Sequence, residues 1–138
     1  MNNMNEERMM MLALDASPRR VPMVYVSYPY SDNPMQRVNE VQGLVFGLLE
    51  LSKAWVPIVP HFCFDALFDF PVGYEHAEVG VWELELISHC NILIYDPAQW
   101  SSGVHWERTF AQRIGLLVMS VDQFKEYLTK SKGAKLVT

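Results

Sequence analysis

Cysteine is scarce in this chain: there are only Cys63 and Cys90, in apolar segments and without the close pairing that a zinc site needs. A disulfide-stapled or zinc-folded module is therefore excluded, and the expectation is two buried thiols in a reducing, cytoplasmic setting. Long apolar runs are missing too. The stretch from Met9 to Leu14 is too short to cross a membrane or to form a signal core. Positive charge is also in short supply: Lys and Arg total 11 against 16 Asp and Glu, for a net charge of -5. No basic stripe is present to neutralise a row of phosphates, so a nucleic-acid polymer is not expected as the partner. The 7 glycines form neither a dinucleotide fingerprint nor a phosphate loop with its lysine, and no Gly-x-Ser-x-Gly occurs. Nicotinamide, nucleoside triphosphate and serine-hydrolase chemistry all lose support, and no cofactor is expected. His61, His76, His89 and His105 show no ligand spacing, so no metal is expected either.

What is present is enough for one core. Half of the 138 residues are apolar, which suits a single domain over residues 21–138. Residues 1–20 are polar and then Met-rich, and read as a flexible extension. A short helix from Glu6 to Leu14, packed on a partner subunit, is the alternative.

Strand and helix patterns alternate through the rest. Met23 to Ser27 is a β-rich run that feeds the turn-forming loop Tyr28 to Pro34. From Met35 to Lys53, Val38, Val41, Leu44, Val45, Leu48 and Leu49 recur at helical spacing, with Asn33 or Asp32 as candidate cap. Trp55 to Pro60 is a second strand, kept short by Pro57 and Pro60. His61 to Ala77 is aromatic and aperiodic, which suits either a functional covering loop or an irregular cap on the core. A helix from Val79 to His89 is expected to bury Val81, Leu84 and Ile87, with Trp82 and Leu86 flanking that stripe. It leads into the continuous apolar strand Asn91 to Tyr95. A helix from Val104 to Ile114 stops at Gly115; Leu116 to Met119 forms the fourth strand, Val121 to Lys130 the last helix, and Gly133 to Thr138 a tail. This order predicts an α/β fold of three layers, with a parallel sheet of four to five strands and helices on both faces. Ligands of such sheets bind beyond the carboxyl ends of the strands, which singles out the loops Ser27 to Pro34 and Asp96 to Gly103.

Ser101, Ser102 and Gly103 precede a helix, where hydroxyls and unpaired N–H groups suit an anion, although capping alone accounts for serines there. Glu107 follows on the same helix and can serve as nucleophile or as stabiliser of an oxocarbenium-like centre; a helix-start glutamate favoured by the dipole is the simpler reading of the spacing. Glu83 and Glu85 interrupt the apolar pattern of the preceding helix, as acid or base candidates or as its solvated face. Asp96 stands at a strand end that faces the cleft.

Together, Tyr25-Val26-Ser27-Tyr28-Pro29-Tyr30, the acidic helix before Asn91-Ile92-Leu93-Ile94, and Ser101-x-Gly103-x-x-x-Glu107 with Ala111 and Gly115-Leu116-Leu117-Val118 resemble the nucleoside 2-deoxyribosyltransferase superfamily, including its 2'-deoxynucleoside 5'-phosphate N-hydrolases. The resemblance runs from about Val24 to Met119. It implies a Rossmann-like or flavodoxin-like domain that cleaves or exchanges an N-glycosidic bond through a glycosyl-glutamate intermediate. It also implies Glu107 as nucleophile, Glu83 helping to protonate the leaving base, and Ser101 on a phosphate or sugar hydroxyl; Asp96, from its place at the strand end, is the alternative residue for the proton. Gly103, beside Ser102, would admit the ligand close to the backbone, and Ser27, Tyr28 and Tyr30 would meet base or sugar. A small nucleoside or nucleotide as ligand and a symmetric homo-oligomer follow from the same likeness. Two positions depart from the pattern: Asn91 stands where many members carry aspartate, and Glu83 replaces a shorter aspartate. A non-catalytic nucleotide-binding module of the same fold is the other reading.

Overall fold

Four short aliphatic runs pair side by side, and because each is joined to the next by a crossover instead of a hairpin turn, all the pairings are parallel. The computed structural model describes residues 5–8, 21–30, 33–64 and 77–135. Its strands are β1 (Met23–Ser27), β2 (Val56–Ile58), β3 (Ile92–Tyr95) and β4 (Leu117–Ser120), in the sheet order β2-β1-β3-β4. The helices are α1 (Pro34–Leu51), α2 (Pro60–Phe64), α3 (Ala77–Ser88), α4 (Ser102–Arg113) and α5 (Val121–Lys135).

The period of two along a strand divides the core into two layers. Val24, Val26, Ile92, Ile94 and Met119 face one side, where they meet Val41, Val45 and Leu48 of α1 and Phe124 and Leu128 of α5. Tyr25 and Leu93 face the other, against Ile87 of α3 and Ala111 of α4. Helices thus cover both faces, and the fold is the expected three-layer α/β arrangement. Gly115, at φ +88°, ends α4 in the left-handed region, and Leu116 N–H then bonds the Ala111 carbonyl at 2.9 Å. Asn91 fixes the entry to the sheet: its N–H donates to the Met23 carbonyl and its Oδ1 accepts from Met23 N–H, both at 2.8 Å.

Several local expectations need correction. Cys63 is exposed on the outer side of the short helix α2; only Cys90 is buried, with its thiol pushed up to about 12 by that burial. Asn33 occupies the cap position of α1 but makes no capping bond; its amide donates to Gln36 Oε1 at 2.9 Å. Val81 is 59% exposed and Trp82 also faces outward, since α3 packs on the sheet through Leu84 and Ile87 nearer its end. Helix α5 continues through Gly133 to Lys135; one glycine costs a helix about 1 kcal/mol, too little to stop it. The expected Asp32 cap, the 1–20 extension beyond its helical residues 5–8, residues 65–76 of the aromatic loop, including Phe68, Phe70 and Tyr74, and the final residues 136–138 lie outside the described residues. Among the described residues no helix is long and apolar enough to cross a membrane.

Candidate active site

The sheet order reverses between β1 and β3: the chain leaves β1 towards β2 on one side and returns to β3 on the other. Loops diverge above such a point and leave a crevice at the carboxyl ends of the two strands. Glu107 lies there. Its position on α4 turns its side chain towards β1, where Tyr25 Oη and Ser27 Oγ donate to its two carboxylate oxygens, each at 2.6 Å. Tyr25 and Ser27 are two residues apart on one strand and therefore project to the same face.

Glu107 is 6% exposed. Burial pushes its carboxyl from the ordinary 4.5 up to about 7, while the two hydroxyls pull in the other direction by favouring the ionised form. A carboxyl with both oxygens held by short bonds has one orientation, and one that titrates near neutrality is available as anion or acid in ordinary buffers. Replacing Tyr25 by Phe should therefore raise the carboxyl further. Since hydrogen bonds to charged groups contribute about 1.5–3 kcal/mol, the variant should lose roughly that much stability at pH 8 and clearly less at pH 5, where the carboxyl is protonated. Urea denaturation at the two pH values measures the difference; an equal loss at both would reduce Tyr25 to a packing role.

The remaining site residues fall into separate groups. Ser101 is the cap of α4, its Oγ accepting from Val104 N–H at 3.1 Å, and Ser102 and Gly103 lie exposed on the first turn. A methyl at Gly103 would meet only Ser101 Oγ at 3.7 Å, so the protein itself does not demand glycine there. Asp96 closes a turn after β3, its Oδ1 accepting from Ala98 N–H at 3.0 Å. Glu83 is half-buried on α3, whereas Glu85 is exposed beside His89 at 3.8 Å. The hydrogen bonds that reach Glu107 come from Tyr25 and Ser27, and from neither Glu83 nor Asp96.

Tyr28 and Tyr30 turn away from Glu107 to the α1 side. Tyr30 packs edge-on to the buried His61 at 5.0 Å between ring centroids, and His61 Nε2 donates to the Pro29 carbonyl at 3.0 Å. Tyr28 Oη donates to Glu40 at 3.0 Å; burial and then Glu40 push its hydroxyl up to about 12. Hydrogen bonds from Gln36, then Tyr28, hold Glu40 below the usual carboxylate range, with Arg37 adding to the effect. Arg37 Nη1 bonds both Glu40 at 3.1 Å and Gln99 at 2.8 Å, and so ties α1 to the loop after β3. Sequence reasoning missed Tyr25, Arg37 and Glu40 as members of this region. Tyr25 had a signal: a hydroxyl-bearing ring in a strand of aliphatics, two residues before Ser27, needs a buried partner.

Among the described residues no group of three or more His, Cys, Asp or Glu is placed to hold a metal ion. The chain is thus a three-layer parallel α/β protein with a buried, hydroxyl-bonded carboxylate at its topological switch point. No protein-family model and no curated protein matches the sequence. Among solved structures the fold is similar to that of a conserved protein from Enterococcus faecalis V583, with a TM-score of 0.58 over 72% of this chain at 17% identity. The chain spans 62% of that protein's length.

Proposed function

We propose that this protein cleaves or exchanges the N-glycosidic bond of a deoxynucleoside or its 5'-monophosphate, with Glu107 as nucleophile. The observation that carries the reading is a buried carboxyl, bonded by Tyr25 and Ser27, beside the switch point of the sheet. In the reaction one Glu107 oxygen forms a bond to C1' of the sugar while the C1'–N bond breaks, its electron pair leaving with the base. The base gains a proton, with Glu83 or Asp96 as the residue that manages its transfer. Water then attacks C1', giving its proton to that carboxylate and releasing Glu107; a second base in place of water gives transfer. Ser27 and Tyr25 hold the attacking carboxylate, Ser101 with the first turn of α4 faces the ligand, and Tyr28 and Tyr30 shape the loop above the crevice. The reading includes a cytoplasmic setting and a symmetric homo-oligomer, the latter supported by exposed Trp82, Trp100 and Trp106 around α3 and α4.

A second reading, a nucleotide-binding module without catalysis, is favoured by one fact: both Glu107 oxygens are already bonded within the protein. Chromatography of free base released from a panel of deoxynucleosides and their 5'-monophosphates separates the two. Release from at least one substrate is the expected result, and its dependence on an added acceptor base tells transfer from hydrolysis. No release from any member, with thermal stabilisation by a member retained, supports the binding module instead.

A further inference from the structure

Arg108 follows Glu107 on α4, and its guanidinium carbon lies 3.8 Å from the centroid of the Tyr95 ring. Tyr95 ends β3 and is the register partner of Ser27 in β1 and of Ser120 in β4. Glu107 therefore reaches β1 while Arg108 reaches β3, side by side at the same carboxyl edge of the sheet. Arg108 is half-buried, and its Nε–H is fully enclosed yet makes no hydrogen bond among the described residues. Nor does a carboxylate pair with it there: the ion pairs of this region are made by Arg37 and by Glu85.

A cation over a ring face is attracted by the π-system, but that contact leaves its N–H donors, which lie in the guanidinium plane, unanswered. The enclosed Nε–H is out of a ligand's reach, but the outer Nη groups of a half-buried guanidinium held flat on an aromatic ring are already set for two parallel bonds to an oxyanion. Ser101, the other candidate for an anion, accepts the cap bond from Val104 N–H at Oγ and keeps its O–H as a donor, but it carries no charge. We infer that Arg108 is an anion-binding residue that takes the phosphate group of the ligand in the Glu107 crevice and so selects phosphorylated over unphosphorylated ligands. The inference rests on the proposed reading for the ligand's sugar and base, but not for the anion site itself.

The test compares full-length wild type, Arg108→Gln and Arg108→Lys by calorimetric titration with 2'-deoxyguanosine, its 5'-monophosphate and inorganic phosphate. Charge-assisted hydrogen bonds of this kind should make the wild type bind the monophosphate about 10–100-fold more tightly than the nucleoside. Arg108→Gln should bring the two within about 2-fold and lose inorganic phosphate binding, whereas Arg108→Lys, which keeps the charge but not the fork, should fall between. An unchanged ratio in Arg108→Gln overturns the inference, as does a wild type indifferent to phosphate; a variant that only melts lower would show a clamp of α4 on β3. If Arg108→Gln fails to fold, the ratio in Arg108→Lys decides. Phosphate bound through Arg108 without base release would remove the glycosidic reading and keep the anion site, and release without phosphate preference would do the reverse.

Discussion

On the glycosidic reading, Glu107→Gln should eliminate base release, by on the order of 10⁴-fold or more, because removing the attacking carboxylate removes the step itself. The same variant should be the more stable protein at pH 8. The wild-type carboxyl binds its proton with a value of about 7 when folded and near the ordinary 4.5 when unfolded, so between these values the folded state holds more protons. Stability from this group is therefore highest below about 4.5 and is lost as pH rises through about 7. The interval corresponds to roughly 3 kcal/mol. Glutamine is isosteric with the protonated acid and does not titrate; one of the two hydroxyls turns to accept from its amide, which both serine and tyrosine can do. Thermal melts from pH 5 to pH 8 should show wild type and Glu107→Gln converging at the acid end and separating by several degrees at the other. Parallel curves would mean that the carboxyl is not titrating in this range. A buried acid that lowers stability at neutral pH fits a residue retained for chemistry. On the glycosidic reading, kcat/KM should rise with pH through about 7, as the nucleophile ionises.

Phe124→Ala should cost about 3–5 kcal/mol, a large part of the total stability of a domain this size. Phe124 is 0% exposed, lying 5.1 Å from the Trp55 ring at 82° and 5.7 Å from the Tyr127 ring at 13° between planes. Trp55 cannot move far into the void, because its Nε1 is bonded to the Ser52 carbonyl at 2.9 Å. The cavity would therefore stay largely open, at full cost. Chemical denaturation should show the midpoint falling with the slope unchanged. Leu117→Ala, at a site mostly open to water, serves as the control and should change stability by about 0.5 kcal/mol or less. A loss below about 1 kcal/mol for Phe124→Ala would mean that α5 can collapse onto the sheet and is not fixed by this ring.

Much of the fold was legible because continuous apolar runs and 3.6-residue spacing leave few alternatives. Met23–Ser27 was bounded by a proline before it and turn formers after it, and Gly115 ended α4 as a left-handed residue should. Positions where packing direction decides were harder. Val81 fits the helical stripe yet faces outward, since periodicity tells which residues share a face but not which turn of the helix touches the sheet. Cys63 looked buried in an aromatic stretch that forms a one-turn helix with an open side. At the candidate site the spacing alone favoured a plain helix-start glutamate at Glu107, only the family resemblance singled it out, and its partners were not legible at all. Tyr25 and Ser27 stand 82 and 80 residues away, and only the register of β1 against β3 brings them under α4. Arg108 escaped notice for a similar reason: its significance depends on the Tyr95 ring beneath it and on the lack of a carboxylate partner among the described residues.

Parallel pairing of β1 with β3 also sets a clock on assembly. The clasp between Met23 and Asn91 closes a loop of 68 residues, and β1 has no earlier neighbour except the three-residue β2. At synthesis rates of about 5–20 residues per second, the central strand waits roughly 3–14 s for its main partner. During that wait Val24, Tyr25 and Val26, which end up wholly inside, are open to other chains. Refolding should accordingly be slow for a protein of this size, and its yield should fall as concentration rises.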